Sequence, residues 1–511
     1  MPESSSSKYD VLIVGAGIAG SSLAHALSTL PRAKPLRVCL LERSLAEPDR
    51  IVGELLQPGG VRALNTLGLE SCLEGIDSIP VRGYCVIEDG KSVHIPYPGT
   101  NEGRSFHHGR FIMTLRAAAQ RAKGVEVVEA TVTDLIEEEG TRRVVGVRAT
   151  RKDAPEKDSF YADLVVIADG CFSNFRGAVM GDAAAKSTTK SHFVGAVLEN
   201  ARLPIPNHGT VALVKGFGPV LLYQISENDT RMLVDVKTPL PSDLKAHILT
   251  NIVPQLPSAL HLPIQAALDK ERIRRMPNSF LPAVEQGAKP GVILLGDSWN
   301  MRHPLTGGGM TVALNDVVML RDLLGGVSNL ADEQEVKRLL TQWHWSRKPL
   351  SSTINILSVA LYDLFGADDE CLAVLRTGCF KYFERGGECV NGPVSLLSGI
   401  APSPSLLASH FFAVAFYSIW VMFTHPMPVR PPHDPDAKPV YRVASVDEYP
   451  FLLVKALRVF WTACIVFGPL LWSEIRWWAP ADTYRRNVVL AKAALPVLAV
   501  MGGIVWTWNV L

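Results

Sequence analysis

Short apolar runs separated by polar turns occupy most of this chain, and three much longer runs close it. The run VLIV at 11–14 predicts a buried strand, a glycine turn follows it, and 18–30 predicts a helix. Further strands are expected at 37–41, 164–170, 194–198, 220–225, 231–236 and 292–297, with another glycine turn and a helix after the last. The long runs cover 406–423, 456–472 and 488–511. Crossing a bilayer takes roughly 20 apolar residues, so the first and third are long enough and the second is marginal. Residues 426–439, PMPVRPPHDPDAKP, are too rich in proline for a helix and read as a linker. Buried core helices are the alternative for the long runs. Their clustering at one end, with Trp461, Trp472, Trp477, Trp478, Trp506 and Trp508 near their ends, favours membrane contact, by spanning or by dipping in.

Composition narrows the classes. The chain has 511 residues, 47% of them hydrophobic and 20% charged, and a net charge of +1. A nucleic-acid binder would show a basic excess, and a disordered chain would be more polar. The mean hydropathy of +0.15 is high for a soluble enzyme, and the terminal runs carry much of that excess. The length allows two to four domains. Eight cysteines form no CxxC pair and have no histidine at ligand spacing, so no metal site is expected and each reads as a small buried apolar residue. The start, MPESSSSKYD, has no apolar core of a signal peptide, which places the catalytic part in a reducing, cytosol-like medium.

Residues 9–20, YDVLIVGAGIAG, carry the clearest chemistry. Gly15 permits a tight turn, Gly17 lets backbone approach a diphosphate, and Gly20 lets the helix pack against the strand. The anion then rests on the helix N-terminus. A second strand ends in Glu42, 22 residues after Gly20, where a carboxylate can accept from ribose hydroxyls, and Arg43 follows. The strand LVVIADG (164–170) ends in an acidic–glycine turn. The strand 292–297 ends in Asp297, suited to a ribityl hydroxyl, and PLTGGGM (304–310) offers more N–H groups before a helix. Glycine turn, mid-chain DG and late GD together resemble the FAD-containing aromatic hydroxylase superfamily.

The wording is closer still to one family. EPDRIVGELLQPGG (47–60), FHHGRFIMTLR (106–116), ADGCFSNFR (168–176), GDSWNMRHPLTGGGMTVALND (296–316), NILSVALYDLF (355–365), CFKYFERGGECVNGPVSLLSG (379–399) and HFFAVAFY (410–417) resemble the squalene monooxygenases, or squalene epoxidases, of fungal type. The resemblance is collinear from about residue 8 to about residue 475. It implies FAD contacts at Ile18, Ala19, Glu42, Arg43, Arg50, Arg116, Val132 (just after the strand at 124–130), Asp297 and Met310, and a tyrosine important for activity at Tyr84. The arginines would neutralise phosphates, Val132 would offer its backbone to adenine, and Met310 would sit near the isoalloxazine ring. His303 is a candidate to orient Asp297 or the ring. The resemblance implies epoxidation of squalene by O₂ in sterol synthesis, with NADPH electrons delivered by a separate NADPH–cytochrome reductase; no second dinucleotide motif is present, and superfamily enzymes that lack one can also use NADPH directly. No protein nucleophile, metal or Ser–His–Asp set is needed.

The implied fold is α/β: a Rossmann-like (GR2-type) FAD domain split over 8–81, 103–176 and 291–324, and a β-sheet substrate domain at 82–102 and 187–283. A helical cover at 331–400 and membrane-associated helices at 404–511 follow. A long apolar substrate also predicts an apolar tunnel, for which Leu213, Phe217, Leu221, Leu222, Tyr223, Ile225, Ile354, Leu357, Leu361 and Phe365 are candidates. The implied place is the endoplasmic-reticulum membrane, catalytic part towards the cytosol, with the lipid droplet as a second site. Rival readings are a terpenoid epoxidase of secondary metabolism, a flavin-dependent reductase of prenyl chains, and a prenyl-binding escort protein without FAD.

Overall fold

Two sheets organise the molecule in the computed structural model, which describes residues 8–475 apart from 33, 153, 155, 182–185, 271–272, 367–368 and 430–439. In the first sheet, strand Lys8–Val14 lies between Val38–Glu42 and Lys157–Ile167, all parallel. The start of Val125–Glu137 extends one edge and Val292–Leu294 the other. Unbroken apolar runs suit this position, because a parallel sheet is covered on both faces. Val11, Leu12, Ile13, Leu40, Leu41 and Leu164 are fully buried. Helices Ile18–Ser28, His108–Arg121 and Gly309–Gly325 pack together over the sheet. Strand Val144–Arg151 pairs antiparallel with the later part of Val125–Glu137 and the early part of Lys157–Ile167. The strand expected to end near 130 therefore continues to Glu137, and Val132 lies within it, paired with Ala149. The alternating sequence TVTDLI keeps that strand half-buried and extended.

The second sheet has seven strands in the order Arg274–Phe280, Thr188–Glu199, Asp229–Lys237, Val220–Gln224, Gly209–Ala212, Gly83–Glu88 and Lys91–Pro96. The hairpin at 83–96 thus pairs with strand Gly209–Ala212, which follows it by more than a hundred residues. Side chains alternate across a strand. Val220 and Leu222 face a core shared with Leu260 and Ile264, and Leu221, Tyr223 and Ile225 face the opposite one. A small third sheet, Leu55–Leu56, Gly103–Ser105 and Ile79–Val81, lies between the glycine-turn region and the large sheet.

Five α-helices follow Gly325 among the described residues: Glu333–Phe365, Glu370–Glu384, Glu388–Leu397, Pro404–Thr424 and Tyr449–Ile475. Asp332, Asp369 and Ser403 cap three of them with side-chain oxygens. The second long apolar run is more than marginal. It belongs to a helix of 27 residues, which with Pro404–Thr424 is long and apolar enough to cross a membrane. The third run, with Trp477, Trp478, Trp506 and Trp508, lies outside the described residues, as does most of the proline-rich stretch. Met427–Val429, at its start, pairs antiparallel with Val440–Arg442. All eight cysteines are free thiols, five of them buried.

Candidate active site

The glycine turn is built by contact. Gly15 has φ +102°, and a Cβ there would lie 2.5 Å from the Ala168 carbonyl oxygen. A Cβ on Gly20 would run into the Gly15 carbonyl oxygen. Gly17 differs: a Cβ there would meet no atom within 4 Å. Helix Ile18–Ser28 starts at this residue with no side-chain cap, leaving its first N–H groups to an outside acceptor. The Ala16 N–H donates to Glu42 Oε2 at 2.7 Å. Arg116, buried, donates through Nε to the Ala16 carbonyl (2.9 Å) and through Nη1 to the Ala46 carbonyl (3.0 Å). Glu42 and Arg116 thus hold the turn from behind.

A cavity of about 410 Å³ opens from this turn. Gly17, Ile18, Ala19, Arg50, Tyr84, Asp297 and Met310 all line it, so the fold brings these sequence-distant candidates to one space. Arg43 and Val132 are not in its wall; Arg43 is exposed. Asp297 follows strand Val292–Leu294, and its backbone is tied to Arg176, whose Nη2 donates to the Asp297 carbonyl at 3.1 Å. Met310 is in the first turn of helix Gly309–Gly325, a second helix start without a side-chain cap. Arg50 brings its Nη2 to 3.7 Å from the Cys171 sulfur and 3.9 Å from that of Met276, weak acceptors for a guanidinium. Two open helix starts, a glycine with clear space, a cation and a carboxylate suit a long dinucleotide with a central diphosphate, and the residues present fit FAD.

Three residues that the sequence did not single out complete the inner wall. Gln57 Nε2 donates to the Tyr84 hydroxyl (2.5 Å) and to the Thr306 carbonyl (2.8 Å), and Tyr97 donates to Gln57 Oε1 (2.6 Å). Burial pushes the Tyr84 hydroxyl up to about 12, so it keeps its proton at neutral pH. His108 donates through Nδ1 to the Gly53 carbonyl at 2.8 Å, and burial, with the Arg50 charge, pulls its imidazole down to about 4. Glu54, 1% exposed, is gripped by Arg231 through Nε (2.7 Å) and Nη2 (2.8 Å). Gln57 and Glu54 stand inside the quoted motif ELLQPGG, but their partners come from other segments.

His303 does not reach Asp297. Its Nδ1 accepts from the Leu305 N–H at 3.2 Å, and its Nε2 is 3.3 Å from Ser191 Oγ and 3.5 Å from Asp235 Oδ1. Serine and aspartate share one ring nitrogen, so this is not a nucleophile–base–orienter series. Of the tunnel candidates, Leu221 and Tyr223 line the cavity. Leu213, Ile225, Leu361 and Phe365 pack in the adjoining cluster. Leu222 faces away, as strand alternation requires, and Phe217, in the turn before that strand, packs against the same far core. Ile354 packs with Val312 and Leu350, and Leu357 packs beside Phe467.

Comparison with known proteins bears on this geometry. The family model for squalene epoxidase matches residues 161–433. The squalene epoxidase of Aspergillus fumigatus is 46% identical over 482 residues, 91% of this chain and 93% of that protein. Squalene monooxygenase of Mus musculus is 42% identical over 477 residues, 92% of this chain and 78% of that one. Among solved structures, a probable FAD-dependent monooxygenase of Pseudomonas aeruginosa superposes with a TM-score of 0.59 at 21% identity, covering 70% of this chain and 97% of its own. A flavin-dependent brominase gives 0.61 at 17% identity, over 80% and 99%. At such identity these two speak for the fold alone.

Proposed function

The chain belongs to the squalene epoxidase family, and on that premise we propose that it is an FAD-dependent squalene monooxygenase converting squalene to (S)-2,3-oxidosqualene with O₂ in sterol biosynthesis. The observation that carries this reading is one cavity in which the two open helix starts at Gly17 and Gly309 adjoin an apolar wall of Leu221, Leu233 and Leu305. FAD, when bound, supplies the activated oxygen. The protein binds and orients. Ile18, Ala19 and the N–H groups of their helix take the diphosphate, with Arg50 as countercharge. Glu42, Arg43 and the backbone of Val132 serve the adenosine half, with Arg116 bracing Glu42. Asp297 takes the ribityl chain, and Met310 lies by the ring.

The apolar wall holds a terminal double bond and excludes water. An epoxide survives only where no strong acid reaches it. Tyr84 keeps a tightly held proton, His108 is uncharged, and Glu54 is matched by Arg231. The wall is thus polar in places but nearly non-acidic. Electrons would come from NADPH through a membrane-bound cytochrome reductase. The place of action would be the endoplasmic-reticulum membrane and the lipid droplet, catalytic part towards the cytosol, where squalene dissolves.

Reconstitution tests this. Purified protein with FAD, reductase and NADPH should convert squalene in detergent to 2,3-oxidosqualene, and Tyr84→Phe should lower turnover about tenfold while keeping FAD. Flavin bound without oxygenated product would sink the reading.

A further inference from the structure

Helix Tyr449–Ile475 shows a broad apolar face to the outside: Phe451, Leu453, Leu457 and Trp461 are 60–72% exposed. Its inner face packs through Phe467, stacked on Phe411 at 3.9 Å between centroids. That contact docks the helix with apolar surface alone. Nearly two helical turns beyond it stands Glu474, a carboxylate only 4% exposed. Burying such a group is costly unless it is paired and hydrogen-bonded. Here it is: Ser352 Oγ donates to Oε2 at 2.6 Å, the Lys348 ammonium lies 3.4 Å from the same oxygen, and Asn355 Nδ2 donates to Oε1 at 3.1 Å.

The bonds continue inward. The Asn355 side-chain oxygen Oδ1 accepts from Arg302 Nε at 2.9 Å. Arg302, itself buried, lines the flavin cavity. Its Nη2 donates to the Asn300 carbonyl (3.2 Å) and side-chain oxygen (2.5 Å), and its Nη1 donates to the Gly309 carbonyl (3.4 Å). These carbonyls flank the turn 301–308, which carries Leu305 and Thr306 to the cavity wall. Asn355 is oriented from both ends: its amide N–H₂ faces Glu474 and its oxygen faces Arg302. The Asn300 side-chain oxygen is also 3.3 Å from Arg347 Nη2, and Arg347 is held by both oxygens of Asp316, so the inner end of the chain is anchored.

We propose that Glu474 is a positioning residue for the flavin cavity: through Asn355 and Arg302 it ties the docked end of the apolar C-terminal helix to the glycine-rich turn against which the flavin rests. The inference rests on FAD occupying that cavity. Phe467 docks the helix, whereas Glu474 transmits its position to Arg302.

Full-length protein in one detergent, as wild type, Glu474→Ala, Glu474→Gln and Phe467→Ala, separates these roles. The FAD dissociation constant, the visible band of bound flavin and the melting midpoint are measured for each. Glu474→Ala should bind FAD about 2- to 30-fold more weakly and shift the flavin band, in line with typical coupling between linked sites. Glu474→Gln keeps the shape without the charge; it should show the same direction, and it carries the comparison if the alanine variant does not fold. Phe467→Ala should lower the melting midpoint and leave flavin affinity and spectrum unchanged. Wild-type affinity and spectrum in both Glu474 variants would overturn the proposal, as would equal flavin effects from Phe467→Ala. A wild-type protein that takes up no FAD at all would overturn the cofactor reading, and the proposal with it.

Discussion

Burial decides the protonation of His108. Its folded-state value of about 4 lies below the ordinary 6.5, so between those values the unfolded chain binds the extra proton. Stability from this residue is therefore complete above about pH 6.5 and is lost as pH falls towards 4, by on the order of 3 kcal/mol. The melting midpoint should fall over that range, and His108→Asn, which can still donate to the Gly53 carbonyl, should flatten the fall. Equal slopes in both proteins would show that His108 is not the cause. Residues of this kind were hard to read in the sequence. Gln57 matters because Tyr84, Tyr97 and Thr306 arrive from elsewhere, and Glu54 because Arg231 does. The glycines were legible because their role is local. The partners of His303 were not legible, because nothing nearby in the chain indicates that Ser191 and Asp235 would meet it.

At the scale of elements, the first turn gives a clean contrast between two glycines. Gly20→Ala forces a methyl group against a backbone oxygen, so it should both lower stability and weaken FAD binding about 10- to 100-fold. Gly17→Ala meets no protein atom, so the melting midpoint should hold while FAD affinity falls, because the methyl group enters the diphosphate path. Titration of FAD beside a thermal melt reads both. A loss of stability in Gly17→Ala equal to that in Gly20→Ala would contradict this division. Strands with continuous apolar runs were legible, since that pattern is strong within a few residues. The end of the strand through Val132 was not: its second half is held by the strand Val144–Arg151, a pairing that local sequence does not encode. For the same reason the sequence does not separate Leu222 from Leu221 and Tyr223, which the sheet places on opposite faces.

At the scale of the molecule, charge is balanced and the apolar excess gathers on one side. Leu457 and Trp461 are among the most exposed large apolar residues, at 72% and 66%, on a helix whose other face is packed. Replacing both with aspartate should lower partition into phosphatidylcholine vesicles by more than about 100-fold, from roughly 1.5–3 kcal/mol per side chain, with bound flavin unchanged. Vesicle flotation would check it; undiminished flotation would place the membrane contact elsewhere. That excess was visible in the sequence. Which helix face meets lipid was not, because the packed face is set by Phe411 and Phe467 across 56 residues of chain. The cavity wall carries a consequence in time. It draws on Gly17 at one extreme and Ala313 at the other, so a growing chain holds no finished cofactor site until Ala313 has been made. The helix Pro404–Thr424 follows only after that. Cofactor capture can therefore precede membrane docking, and Glu474, made later still, closes onto a site whose first strand, Lys8–Val14, was made hundreds of residues earlier.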